Sequence, residues 1–160
     1  MANINIEIEM NDGKVIAAEL YPETAPITVE NFTKLIKDNF FDGLIFHRVI
    51  EGFMIQGGGF RADGTHKDAD SIKGEFASNG VTNDLKHTRG VLSMARTMFP
   101  NSASSQFFIM HKDAPHLDGQ YAAFGKVTSG IEVVDEIAST ATDMQDQPLE
   151  DKIIKTIRLV

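Results

Sequence analysis

The sequence predicts a mainly β fold, a closed barrel with two helices, and three features carry that expectation. Apolar residues alternate at period two in the opening segment, residues 152–160 read as another strand, and two stretches carry a helical repeat. First and last strands can pair in a sheet closed on itself, which removes the exposed edges.

Taken in order, Ile4, Ile6, Ile8 and Met10 alternate with Asn5, Glu7 and Glu9, as in a half-buried strand. Asn11-Asp12-Gly13 supplies a turn and Ile16, Ala18 and Leu20 resume the alternation, so the chain opens with a hairpin. Pro26 suits a first helical turn, after which Val29, Phe32, Leu35, Ile36 and Phe40 recur at helical spacing until Asp42-Gly43. Strand-like segments follow at 46–50, 53–60 and 105–110. A second helix is expected from Ser129, with Glu132 completing a capping box and Ile131, Val134, Ile137 and Ala138 on one face. No repeat, low-complexity tract or linker interrupts the chain, so residues 1–160 are read as one domain.

Composition narrows the function classes. Fifteen Lys and Arg against 23 Asp and Glu give a formal charge of -8, which repels phosphate backbones and argues against nucleic-acid binding. The absence of cysteine excludes disulfides, thiol catalysis and thiolate metal sites. No apolar run approaches the ~20 residues of a membrane span, and no basic segment followed by an apolar one opens the chain. A cytoplasmic protein is therefore expected. Eleven Phe against no Trp suggest a core built on aromatic packing.

The three central segments carry polar residues that a plain core would not hold. Alternation sets Arg48 opposite His47 and Val49, Met54 and Gln56 opposite Ile55, and Gln106 and Phe108 opposite Phe107 and Ile109. With the apolar sides inward, one outer surface gathers Arg48, Met54, Gln56, Gln106 and Phe108. A cation, two amides and apolar side chains suit an extended peptide, which needs backbone partners and a side-chain pocket. Pattern alone equally allows the polar members to be solvated outer positions, and Met54 and Met94 to be core.

Other candidates carry less. His47 is expected as a hydrogen-bonded interior residue. His111 and His116, with Asp113 and Asp118, lack the helical pair spacing of a zinc site, and Pro115 argues against a helix there, so no metal is expected. Gly57-Gly58-Gly59 lacks the features of a phosphate loop and reads as a bend or close backbone approach. Ser104 and Ser105 have no nucleophile-elbow context. His66 and His87 fall in polar loops and are given no role.

The stretch Phe46-His47-Arg48-Val49-Ile50-Glu51-Gly52-Phe53-Met54-Ile55-Gln56-Gly57-Gly58 resembles the signature of cyclophilins. So do Gly90-Val91-Leu92-Ser93-Met94-Ala95, Ser105-Gln106-Phe107-Phe108-Ile109 and Phe124-Gly125-Lys126-Val127. The short loop in which Arg96-Thr97 follows Met94-Ala95 is similar to that of the bacterial cytosolic branch. The resemblance implies a closed eight-stranded antiparallel barrel with two helices, and peptidyl-prolyl cis-trans isomerase activity with no cofactor, metal or covalent intermediate. It implies that Arg48 is the catalytic arginine and that Gln56 braces it and touches substrate. Phe53, Met54, Phe108 and Leu117 match the proline pocket. Gln106 and the backbone of Ala95 and Arg96 match groups that hold the peptide. His116 stands where a pocket-edge Trp is often found, and Tyr121 where a His is usual.

The implied partners are proline-containing peptides and unfolded or folding proteins, met by a monomer. Cyclosporin, the family's inhibitor, should bind weakly because His116 replaces the Trp. The rival reading is a catalytically idle proline-peptide binding module or holdase chaperone using the same groove. A barrel that holds an apolar small molecule is a third, opposed by the inward Val49, Ile55, Phe107 and Ile109.

Overall fold

The computed structural model describes residues 2–160; Met1, the first residue of the expected domain, lies outside them. The strands are β1 (Ile4–Met10), β2 (Val15–Leu20), β3 (Leu44–Ile50), β4 (Met54–Arg61), β5 (Val91–Met94), β6 (Phe107–Met110), β7 (Ala123–Ser129) and β8 (Ile154–Leu159). The helices are α1 (Pro26–Lys37) and α2 (Ile131–Ala138). No helix of the described residues is long and apolar enough to cross a membrane.

All eight strands join one antiparallel sheet in the order β3-β4-β6-β5-β7-β2-β1-β8. In the opening hairpin Ile6 faces Ala18 and Ile8 faces Ile16, so the alternating apolar sides meet on the core face. β8 lies against β1 and returns to β3 through the antiparallel bridge Ile45–Ile153. The Phe46 N–H donates to the Lys152 carbonyl at 3.0 Å and the Gly43 N–H to that of Ile154 at 2.8 Å. First and last strands do pair, and the barrel closes.

The interior is built on phenylalanine. Phe32 of α1 packs on Phe41, Phe107 and Phe124 with ring centroids 4.9, 5.2 and 5.0 Å away, and Phe107 also meets Phe41 and Phe46 edge-on. The buried faces of α1 (Val29, Phe32, Leu35, Ile36) and α2 (Val133, Val134, Ile137, Ala138) belong to this same cluster. A second, smaller cluster lies on the other face of β4, β5 and β6, around Met54, Val91, Phe108, Met110, Leu117 and Ala123.

Three expectations need correction. Strict alternation fails in β3, because the pairing slips between Phe46 and Arg48: Phe46 faces Gly57 while Arg48 faces Gln56. This bulge buries both Phe46 and Val49 in the core while Arg48 points outward. Displaced from the interior, His47 is only half-buried; its Nδ1 has no hydrogen-bond partner and its ring lies 4.5 Å from that of Phe60. The capping box at Ser129 does not form, since Ser129 ends β7 and the cap position falls to Gly130 at φ 82°, a left-handed conformation that glycine adopts without strain.

Helix α1 ends at Lys37, and Phe40 is buried beyond it in the following turns. Its first turn is capped from a distance. Ala25 offers no side-chain cap, but the Glu75 carboxylate accepts from the N–H groups of Ile27 (3.2 Å) and Thr28 (2.6 Å) and from the Thr28 hydroxyl (2.7 Å). A carboxylate there meets the positive end of the helix dipole, which makes its burial at 2 % exposure tolerable.

Candidate active site

Strands β3, β4 and β6 are neighbours, and their register aligns the outward residues: Arg48 faces Gln56, and Gln56 faces Phe108. Arg48 Nη1 donates to Gln56 Oε1 at 3.4 Å, and Gln56 Nε2 donates to Gln106 Oε1 at 3.0 Å. The chain of polar groups thus runs from β3 through β4 to the residue that precedes β6. Arg48 takes part in no ion pair among the described residues, so its charge stays available to a ligand. The glycine triplet makes room for this arrangement. Gly58 bends the strand at φ 89° while Ser105 Oγ donates to its carbonyl at 2.7 Å, and a Cβ on Gly59 would collide with the Gln106 side chain. The close approach expected of these glycines is therefore present.

Beside Arg48 opens a pocket of about 140 Å3 lined by Arg48, Phe53, Met54, Gln56, Ala95, Arg96, Phe108, Leu117 and Tyr121. Sites for drug-sized molecules run to roughly 300–1,000 Å3, so this one has the scale of a single small ring. Its floor is the second apolar cluster, which contains Met54, Phe108 and Leu117. Its far wall is held by Arg96, whose Nε and Nη2 donate to the Gln120 carbonyl (3.0 and 2.6 Å) and whose guanidinium lies over the rings of Phe76 and Tyr121 (4.7 and 4.8 Å). Arg96 spends its donors and its face on the protein; Arg48 does not. An adjoining pocket is lined by Gln56, Ala95, Arg96, Thr97, Ser102, Ser104 and Gln106.

Of the eleven predicted site residues, nine line the first pocket and Gln106 lines the second. His116 stands apart. It is exposed on the short turn Pro115–Leu117, its ring 5.8 Å from Phe53, behind the pocket edge.

Sequence reasoning missed His87. Its ring is buried, with Nε2 2.8 Å from Ser93 Oγ, Nδ1 3.0 Å from Asp118 Oδ1, and its plane stacked 6.1 Å from Phe108. Burial pushes this imidazole below its usual range despite Asp118, so its partners assign an Nδ1–H donor to the carboxylate and Nε2 as acceptor from Ser93. Burial pulls the Asp118 carboxyl up, but hydrogen bonds from the backbone N–H and ring of His87 outweigh it and hold the carboxyl below the usual range. The Ser93 hydroxyl is sealed from solvent, so this Ser–His–Asp set supports the pocket floor and offers no nucleophile. The available signal was Ser93 itself, a hydroxyl inside the apolar strand Val91–Met94 that must find a partner.

The other histidines are engaged structurally. His111 Nδ1 accepts from the Gly52 N–H at 2.8 Å, and its Nε2 lies 3.1 Å from Asp135, which Arg89 grips through both oxygens (2.6 and 2.8 Å). Among the described residues no three His, Asp or Glu side chains converge on a metal position. Burial, reinforced by the charge of Arg48 and then by His66, pushes His47 down to about 4.

The closed barrel thus carries on its outer face an arginine free of ion pairs beside a ring-sized pocket whose floor is apolar. The sequence profile described as cyclophilin type peptidyl-prolyl cis-trans isomerase/CLD matches residues 5–159. A peptidyl-prolyl cis-trans isomerase of Acinetobacter baylyi is 50% identical over 148 residues, 89% of this chain and 76% of its own. Peptidyl-prolyl cis-trans isomerase B of Escherichia coli is 41% identical over 164 residues, 95% of this chain and 97% of its own. The crystal structure of a Cryptosporidium parvum cyclophilin type peptidyl-prolyl cis-trans isomerase superposes with a TM-score of 0.85 at 30% identity, covering 99% of this chain and 98% of that one. The same protein has been solved in the presence of the dipeptide Ala-Pro. The chain belongs to the cyclophilin family, and its activity is peptidyl-prolyl cis-trans isomerisation.

Proposed function

We propose that Arg48 carries the isomerisation by stabilising the twisted amide of an X-Pro bond whose ring sits in the pocket of Phe53, Met54, Phe108 and Leu117. The carrying observation is the exposed Arg48 guanidinium, free of ion pairs, held by Gln56 at the rim of a ring-sized pocket with an apolar floor. The Ala-Pro dipeptide present with the C. parvum relative supports reading the occupant as a proline-containing peptide.

Amide resonance sets a barrier of roughly 18–20 kcal/mol to rotation, and uncatalysed exchange takes tens to hundreds of seconds. Reaching milliseconds needs about five decades, or roughly 7 kcal/mol of preferential transition-state stabilisation. No bond breaks, so neither nucleophile nor proton transfer is required. As the bond twists, the nitrogen lone pair leaves conjugation and becomes an acceptor. A guanidinium aimed at it favours the twisted state over both planar ones. Gln56 limits the rotamers of Arg48, and Gln106 with the backbone of Ala95 and Arg96 holds the flanking peptide while the acyl side turns. Tyr121 forms a wall of the clamp, and His116 stands behind its edge against Phe53.

In this reading one domain acts as a monomer in the cytoplasm on unfolded and folding chains; sedimentation checks the oligomeric state and fractionation the location. The deciding experiment is exchange spectroscopy on a tetrapeptide with one Ala-Pro bond. Catalytic amounts of protein should merge the cis and trans signals. Binding of the peptide without faster exchange would instead establish the idle binding module.

A further inference from the structure

Past Arg96 the groove runs into a loop, residues 97–102, whose backbone is pinned while its apolar side chains are left outside. The Thr97 N–H and hydroxyl both donate to Ser102 Oγ at 2.9 Å, Ser102 Oγ donates to the Phe99 carbonyl at 2.6 Å, and the Phe99 N–H donates to Thr97 Oγ1 at 3.2 Å. Arg96 Nη1 donates to the Thr97 carbonyl at 2.9 Å, which ties the loop to the pocket wall. On its far side Asn101 Oδ1 accepts from the Gly74 N–H and from Asn79 Nδ2, at 3.0 and 2.9 Å. Every one of these bonds uses backbone or the side chains of Arg96, Thr97, Ser102, Asn101 and Asn79. The side chains of Met98 and Phe99 take no part in these bonds, and the two residues are 86% and 69% exposed. Of the eleven phenylalanines in the chain, Phe99 alone is exposed.

We propose that Met98 and Phe99 are a binding site for an apolar side chain of the substrate, a few residues from the proline, so that the groove selects X-Pro bonds flanked by exposed apolar residues. The proposal rests on reading the Arg48 groove as the peptide site, and continuity with that groove identifies the occupant. Arg96 borders both pockets, Thr97 and Ser102 line the second, and the exposed pair directly follows Thr97. An extended chain advances about 3.3 Å per residue, so one leaving the proline pocket across the second pocket meets the loop within a few residues. Phe offers large area and Met an adaptable surface, which together accept apolar partners of varied shape. A folded protein buries such side chains; an unfolded one exposes them beside its prolines. The pair therefore biases the enzyme toward unfolded chains.

The test uses the full chain and a double variant, Met98→Ser with Phe99→Ser, which keeps every hydrogen bond named above. Two substrates are compared: a tetrapeptide with one Ala-Pro bond, and a set of twelve-residue peptides in which a single Phe is moved stepwise away from the proline on either side. For the tetrapeptide both proteins should have the same kcat/KM; inactive wild type would defeat the reading of the groove itself. For wild type, Phe at one or two adjacent positions should raise kcat/KM about fivefold to tenfold, through KM, relative to Ser there. The double variant should lose that gain. No position effect in wild type, or a gain retained by the double variant, overturns the proposal. So does sedimentation of wild type as a dimer that the double variant abolishes, because the occupant would then be a second copy.

Discussion

Replacing Arg48 by alanine should separate catalysis from fold more cleanly than any other change. The side chain is exposed, makes one long hydrogen bond of 3.4 Å to Gln56 and joins no ion pair among the described residues, so its loss should cost under about 0.5 kcal/mol of stability. Its catalytic share is much larger. One preorganised donor aimed at developing charge is worth roughly 3–4 kcal/mol, or 10²–10³ in rate, against the roughly 7 kcal/mol that the reaction requires. Arg48→Ala should therefore lower kcat at least a hundredfold yet leave some acceleration from the apolar clamp. Arg48→Lys should recover less than tenfold, since a point charge cannot serve Gln56 and the peptide nitrogen with one planar fork. Exchange spectroscopy on the Ala-Pro tetrapeptide reads turnover without an auxiliary protease, and urea titration reads stability. A folded Arg48→Ala protein with near-normal turnover would refute the mechanism.

Turnover should be flat between about pH 6 and 9, because the site combines a guanidinium, amides and apolar groups, none of which titrates there; a bell-shaped profile in folded protein would show that a titrating group takes part. Stability should respond to acid instead. With His47 held at about 4 when folded against about 6.5 when free, both states are neutral above pH 6.5, and the unfolded chain takes the proton first as pH falls. Urea titrations should show a loss of about 2 kcal/mol between pH 6.5 and 4, allowing for the ring's partial exposure, and a shallower slope in His47→Gln. Glu75→Ala strands the buried N–H and hydroxyl of Thr28 and should cost about 2–4 kcal/mol by the same assay, with Glu75→Gln costing about 1; equal losses in both would dismiss the distant cap. Cyclosporin should bind one to two decades more weakly than to relatives with Trp at position 116, and calorimetry on His116→Trp should show much of the affinity restored.

Much of this was legible from residue order alone. The opening hairpin follows from periodicity and the phenylalanine core from composition, the glycine triplet announced a bend or close backbone approach, and alternation grouped Arg48, Gln56 and Phe108 on one side while leaving open whether the polar members were merely solvated. Three features did not follow, each for a physical reason. Alternation cannot register a bulge, because the extra residue in β3 resets its phase and carries Phe46 and Val49 to the same side. A cap drawn from another segment, as Glu75 caps α1 from 47 residues beyond Thr28, leaves no local trace at the helix start. His87 reads as a loop residue until the fold sets Ser93 and Asp118 on either side of its ring.

The closing of the barrel sets an order on its assembly. β1 spans Ile4–Met10, and its two neighbours are β2, next in sequence, and β8, Ile154–Leu159, far beyond it. Until β8 has been made, β1 has one open edge, and the seam between β3 and β8 cannot form. A chain that has made β1 to β7 holds its apolar interior with an open seam, and pairing strands so far apart in sequence is a slow step that leaves the interior exposed until β8 is added.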